Sequence, residues 1–356
     1  MTKIVEIEGR KIGLENPCFI VGEIGINHNG DPQRAMKMID VIADAGASCV
    51  KFQTFRAKEF LADESLTYTY FSQGKEVTES QMDMFQRCEF DWSEFENLFT
   101  HVRKRGLIPL STPTDHDAVD FLDRIGVGAF KVGSDDIVYT PFLRYIAEKG
   151  KPVIISSGMA DAEDIRRAVE AIEETGNDQI IVCHCVSEYP TPEEHVNLRK
   201  ISELRKFLEH PVGYSDHSQE LTAAMGAVAL GACYFERHFT LDKTLPGPDH
   251  WFAADPEDLK SLVAGIRQIE KNLGTGTLRA SNEEEKMKPL ARRSIVAAVD
   301  LEAGHVITEK DLTYRRPGTG LMPYEADRII GRRVLRGVAA GTMLAMDMLA
   351  EEVNRP

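Results

Sequence analysis

Cations are in short supply in this 356-residue chain: 42 Lys and Arg stand against 57 Asp and Glu, a formal net charge of −15. Nucleic acids and anionic membranes both reward clustered cations, so neither is expected as a partner. A small anionic substrate is still allowed, because a few lysines in a pocket set the local potential. No apolar run is long enough to cross a bilayer. The opening residues, Met1-Thr2-Lys3-Ile4-Val5-Glu6, hold no apolar leader core, so the expectation is a cytoplasmic protein. Cysteine is sparse: Cys18, Cys49, Cys88, Cys183, Cys185 and Cys233. Cys183 and Cys185 flank His184, a pattern open to metal binding. Most of the six lie in or beside apolar runs, however, where reduced, buried thiols are expected. Internal repeats and low-complexity tracts are also absent.

What is present is a rhythm. Apolar runs at 18–22, 49–52, 108–110, 129–132, 153–155, 180–183, 212–214 and 233–235 read as eight strands. They are continuous rather than alternating, as parallel strands buried on both faces are. Helical patterns fill most gaps, at 32–45, 91–105, 117–125, 141–148, 161–174, 198–208, 221–230 and 256–273. Eight such units in about 260 residues predict a (β/α)8 TIM barrel over residues 1–275, with a doubly wound open sheet as the alternative. Residues 1–16 read as an entry hairpin. The 54–91 gap is too long for a plain loop and is either a lid over the active face or a structural excursion. The rhythm stops near Gly274. Residues 276–289 read as a polar linker, and 290–350 as a small C-terminal domain of mixed β and short helix.

In a barrel, chemistry collects at the C-terminal strand ends. There the chain offers Glu23 and His28, Lys51 and Gln53, Ser111 and Thr112, then Lys131, Ser134, Asp135 and Asp136. Ser156 and Ser157, His184, Ser187 and Tyr189, Ser215 and His217, Glu236 and His238 follow. Two histidines on neighbouring parallel strands can share a divalent metal with open positions, as a Lewis acid acting on a carbonyl requires. A lysine inside an apolar strand is costly unless partnered. Lys51 and Lys131 therefore either pair with carboxylates such as Glu23 or Glu236, or meet an anion that arrives with the substrate. The surrounding hydroxyls suit a phosphate or phosphate-carboxylate ligand. The residues thus point to a metal-assisted reaction of a carbonyl compound with a phosphorylated anion.

An ordered set of motifs extends this reading: Gly22-Glu23-Ile24-Gly25-Ile26-Asn27-His28-Asn29-Gly30-Asp31, Lys51-Phe52-Gln53-Thr54, Ser111-Thr112-Pro113, Lys131-Val132-Gly133-Ser134, Ser156-Ser157-Gly158-Met159, Tyr189-Pro190-Thr191-Pro192, Gly213 through His217, Glu236 through Lys243, and Pro246-Gly247-Pro248-Asp249-His250. With these, nearly the whole chain resembles the sialic acid synthase (N-acetylneuraminate synthase) family. The resemblance implies condensation of phosphoenolpyruvate with N-acetylmannosamine to N-acetylneuraminate and phosphate. It implies manganese, with magnesium or cobalt as alternatives, held by His217 and His238. Glu23 would handle a proton or orient water. Lys51, Thr112, Lys131, Ser134, Ser156, Ser187 and Ser215 would bind phosphoenolpyruvate, while Gln53, Asp136, Tyr189, Asp249 and Arg316 would bind the N-acylated amino sugar. The C-terminal domain resembles the antifreeze-like (SAF) domain, which the resemblance places over the partner's barrel in a domain-swapped homodimer.

Departures and rivals remain at this stage. Ser187 stands where some members have asparagine, and Asp136 where some have glutamate. Trp251 and Phe252 replace small or polar residues; they either suit a less polar, deoxy sugar or simply pack. A synthase for legionaminic or pseudaminic acid, using a diacetamido-trideoxy hexose, is the close alternative. A phosphorylated acceptor is disfavoured by the lack of a second cationic cluster. A catalytically dead sugar-binding protein is disfavoured by intact Lys51, Lys131, His217 and His238. A 3-deoxy-keto-acid phosphate synthase or aldolase is not expected to have residues 290–350 as an added domain.

Overall fold

The computed structural model describes residues 3–350. The chain divides into two compact units, Met1–Gly274 and Thr275–Pro356. In the first, eight parallel strands close into a barrel in chain order: Phe19–Gly25, Cys49–Thr54, Ile108–Pro113, Phe130–Val132, Val153–Ser156, Ile180–Cys185, Val212–Asp216 and Tyr234–His238. The seam is shut by the eighth strand pairing with the first, with His238 beside Glu23. The chain is therefore a (β/α)8 barrel, and the open doubly wound sheet is ruled out.

Helices enclose the barrel because each strand has two apolar faces. Outward residues such as Ile20, Val50, Phe52, Val132, Ile155 and Val182 pack on Met38, Leu98, Leu122, Ile146 and Ile172 of the helices in one large core. Helix starts follow their local signals. Asp31 caps Pro32–Asp44, and Asp91, Asp161 and Asp255 each form capping boxes with a carboxylate three residues on. Gly22 lets one helix approach closely, since a Cβ there would lie 2.9 Å from Ile42.

The inward residues form a second core: Phe19, Val21, Cys49, Ile108, Leu110, Ile154, Ile181, Cys183 and Tyr234. The entry segment is a hairpin, Val5–Ile7 with Arg10–Ile12, whose Val5, Ile7 and Ile12 join this core. Among its hydrogen bonds are those to Glu209, Gln179 and Gly106, which all precede strands. The hairpin thus plugs the N-terminal end and leaves the C-terminal end open.

The 54–91 excursion is ordered. It consists of the short helix Ala57–Phe60, the hairpin Thr67–Ser72 with Lys75–Ser80, and the helix Gln81–Cys88. The hairpin tip is fastened to the loop after the eighth strand: Gln73 Nε2 donates to Thr244 O (3.0 Å), and the Gly247 amide to Ser72 Oγ (3.2 Å).

In the second unit, Ser294–Ala297 pairs antiparallel with Leu312–Arg315. Ile295, Leu301, Ile307, Ile329, Val334, Val338, Leu344 and Leu349 make its core. The 334–346 stretch, β-rich in sequence, forms only isolated bridges and a 3-10 turn among the described residues. Part of the presumptive linker is helical: Asn282–Ala291 is started by a capping box of Ser281 and Glu284. Composition hid it, because the helix buries no residue and so lacks an apolar stripe.

Candidate active site

A cavity of about 660 Å³ opens at the C-terminal end of the barrel. Strand periodicity builds its floor. In the second strand Cys49 faces the apolar interior, so Lys51 and then Gln53 face the mouth. Of the sequence-nominated residues, Lys51, Gln53, Thr112, Lys131, Ser134, Asp136, Ser156, Ser187, Tyr189, Ser215, His217 and His238 line the cavity. Glu23 does not line it; it lies fully buried against Lys51. Asp249 lies behind His238, its Oδ2 3.3 Å from Nδ1. Arg316 belongs to the second unit, where it is exposed just after the Leu312–Arg315 strand.

The two lysines differ. Lys51 Nζ is 2.7 Å from Glu23 Oε2 and 3.7 Å from Glu236 Oε1, and it donates to Thr112 Oγ1 at 3.2 Å. Burial opposes its charge, but the two carboxylates outweigh this and raise its pKa. Burial likewise pushes the Glu236 carboxyl up, yet Lys51 and Lys131, with the Tyr234 hydroxyl, bring it down to about 2. Lys131 is 3% exposed and donates to Ser156 Oγ (2.5 Å) and Val132 O (2.9 Å), but among the described residues it forms no ion pair. An ammonium in that position is costly unless an anion joins it.

Beside Lys131 the hydroxyls gather around Gly158. Its amide donates to Ser134 Oγ (3.1 Å), and the buried Ser187 Oγ has no hydrogen-bond partner among the described residues. A Cβ on Gly158 would fall 2.3 Å from Ser187 Oγ and 2.5 Å from Ser134 Oγ. The glycine keeps open a cradle of hydroxyls, amide and ammonium.

His217 and His238 face each other with ring centroids 5.4 Å apart. His217 Nδ1 lies 2.8 Å from Val186 O. A carbonyl only accepts, so Nδ1 holds a proton, and in the neutral ring Nε2 has the free lone pair. His238 Nδ1 is buried, and Asp249 is the nearby carboxylate, 3.3 Å away. Burial pushes the Asp249 carboxyl up, but His238, His217 and His250 outweigh that and hold it below the usual range. Two imidazoles backed by a carbonyl and a carboxylate fit a divalent ion. Among the described residues, no group of three or more His, Cys, Asp or Glu side chains is placed to hold a metal ion, so the pair alone would supply the protein ligands. Tyr189 covers the pair, 4.2 Å from the His217 ring.

Other nominated strand-end residues point elsewhere. His184 faces outward, bonded to Val196 O (2.7 Å) and stacked on Tyr214, because it alternates with inward Cys183 and Cys185. Ser111 bonds Thr54 on the outer face (2.7 Å). His28 stacks on Phe90, and burial with Arg34 lowers its pKa to about 3. Trp251 and Phe252 do not line the cavity; Phe252 braces Tyr189 and His238, and Trp251 meets Phe71 of the hairpin. In this structure both pack against neighbouring rings. Sequence reading overlooked Phe55, Phe85, Thr114 and Cys185 as lining residues. For Cys185 a signal existed: the alternation that turns Cys183 inward also turns Cys185 inward.

A closed parallel barrel with buried cations and paired imidazoles at its open end defines a (β/α)8 protein with a polar small-molecule site. Residues 38–278 match the NeuB family and residues 292–350 the SAF domain. An N,N'-diacetyllegionaminic acid synthase of Campylobacter jejuni is 39% identical over 316 residues, 88% of this chain and 95% of that protein. The N-acetylneuraminate-9-phosphate synthase of Homo sapiens is 35% identical over 332 residues, 92% and 91% of the two chains. The solved N-acetylneuraminic acid (sialic acid) synthetase of Leptospira borgpetersenii is 35% identical, with a TM-score of 0.73 over 80% of this chain and 95% of its own. The chain belongs to the NeuB family.

Proposed function

We propose that the chain is a nonulosonic acid synthase, joining phosphoenolpyruvate to an N-acylated amino-sugar aldehyde with release of phosphate. The observation that supports it most is Lys131, buried without an ion pair among the described residues and set beside a hydroxyl cradle. Lys131, Ser134, Ser156, Ser187 and the Gly158 amide hold the phosphate. Lys51, Thr112 and Ser215 complete the anion site. His217 and His238 would hold a divalent ion, manganese first and magnesium or cobalt next, which supplies Lewis-acid polarisation of a carbonyl. Gln53, Asp136, Tyr189 and Asp249 orient the sugar so that its aldehyde carbon faces C3 of phosphoenolpyruvate. Attack by C3 leaves a cation at C2, water adds there, and the tetrahedral adduct expels phosphate. Glu23, held by Lys51 and Gln53 (3.4 Å from Nε2 to Oε1), takes the water's proton or aligns it.

N-acetylmannosamine is the first acceptor reading. A diacetamido-trideoxy hexose is the second, favoured by the 39% identity to a legionaminic acid synthase. In the cell we place the enzyme in the cytoplasm as a domain-swapped homodimer, with Arg316 reaching the partner's sugar. The test is phosphate release from phosphoenolpyruvate with manganese across acceptors, before and after EDTA. EDTA should abolish release and manganese restore it; no release with any acceptor after reloading overturns the proposal.

A further inference from the structure

One of the largest fully buried side chains in the barrel carries a charge: Arg237, on the eighth strand. Its strand neighbours Glu236 and His238 line the cavity, so alternation turns Arg237 to the other face. Across the ladder it pairs with Asp216 of the seventh strand, which likewise sits between two cavity residues, Ser215 and His217. The guanidinium reaches three segments. Nη1 donates to Asp216 Oδ2 (2.6 Å) and Glu220 O (3.3 Å), and Nη2 to Gln219 O (2.9 Å) and Phe252 O (3.4 Å). Asp216 Oδ1 in turn accepts from the Tyr214 hydroxyl (2.9 Å) and from the amide and hydroxyl of Ser218 (2.9 and 2.7 Å). His217 is thus bracketed by two residues of one network. Phe252, whose carbonyl the guanidinium holds, sets its ring 6.0 Å from the His238 ring.

A buried ion pair is a poor stabiliser, because desolvation offsets most of its attraction. What this one secures is geometry. Resting on the reading above that His217 and His238 take a divalent ion, we infer that Arg237 is the positioning residue for that pair. Its planar fork fixes the end of the seventh strand, the 219–220 turn and the loop at Phe252 against the eighth strand. It thereby sets the spacing and tilt of the two imidazoles, while lining no part of the cavity itself. The task suits arginine alone: a single ammonium on a flexible stem cannot span a carboxylate and carbonyls on both loops at once.

The test titrates metal-free protein with Mn2+ and, separately, with phosphoenolpyruvate. Arg237→Lys keeps the charge beside Asp216 and gives up the fork. It should weaken Mn2+ binding by about tenfold to a hundredfold. Phosphoenolpyruvate binding should stay close to the wild type, since its site is built mainly from the second to sixth strands. A merely structural arginine would weaken both ligands alike or neither, and either result in an Arg237→Lys chain that melts cooperatively overturns the inference. If Arg237→Lys does not fold, Asp216→Asn decides by the same two titrations, because it keeps the shape and removes the charge that holds Nη1. Selective loss of Mn2+ affinity supports the inference there, and an equal or absent loss overturns it. A wild type that binds no Mn2+, or His217→Ala that binds it undiminished, sinks the metal reading and the inference together. Mn2+ binding through His217 with no phosphate release from any acceptor sinks the synthase reading alone.

Discussion

At the scale of single residues, the site balances charges that would each be costly alone. Lys51 shares a dry space with Glu23 and Glu236, while Lys131 bonds a hydroxyl and a carbonyl and, among the described residues, forms no ion pair. Lys131→Met should lower kcat/KM for phosphoenolpyruvate by roughly two to three orders of magnitude, because it removes a buried charge aimed at the ligand. Isothermal titration with phosphoenolpyruvate checks this independently of turnover; undiminished binding would refute the assignment. His217→Ala should abolish phosphate release even after metal loading, and near-normal activity would remove His217 from the ligand set. Asp136 gives a pH signature. Burial, then Asp135, raises its pKa to about 6. Its folded form thus holds the proton more tightly than the unfolded chain does. Stability falls as pH rises from about 4 through 6, because the charged carboxylate is disfavoured in the fold. Asp136→Asn should therefore raise the melting midpoint by about 2 °C at pH 7.5 and by nothing near pH 3.5. A gain that is equal at both pH values would contradict this.

Among the elements, position relative to the barrel ends decides what a change costs. The entry hairpin fills the closed end, far from the chemistry. Ile7→Ala should destabilise by about 3 kcal/mol in denaturant unfolding, through lost burial and a residual cavity. Its kcat/KM should stay within about twofold of the wild type, since no cavity residue changes partner. The 67–80 hairpin lies at the other end, where it places Tyr68 in the cavity and bonds the loop that bears Asp249. This arrangement makes the excursion a wall of the site. The helix and strand succession was legible in sequence because caps, prolines and apolar periods act over a few residues. The Asn282–Ala291 helix escaped because only its cap, Ser281 with Glu284, marks it.

For the whole molecule, the prediction concerns two protomers. If Arg316 acts on the partner's sugar, a dead barrel can still lend its C-terminal domain. Mixing His217→Ala with Arg316→Ala chains under exchange should recover about a quarter of wild-type sites, because half of the dimers would be mixed and each would have one complete site. Activity equal to the sum of the separate variants would contradict the swapped arrangement.

What the sequence by itself determined was the order of elements, the parallel barrel, and most residues at the strand ends. These follow from apolar runs and from chemistry that has no reason to sit in a core. What only the tertiary structure decided was direction and partnership. Period-2 alternation turns Thr112 inward and Ser111 outward, and one residue of register separates the two. Lys51 found carboxylates while Lys131 did not, because closure of the barrel sets Glu236 and Glu23, far apart in the chain, on adjacent strands. Phe55 and Phe85 came into ring contact only when the excursion folded back over the second strand. Long-range juxtaposition of this kind leaves no local trace, since each residue's own neighbours in sequence allow either outcome.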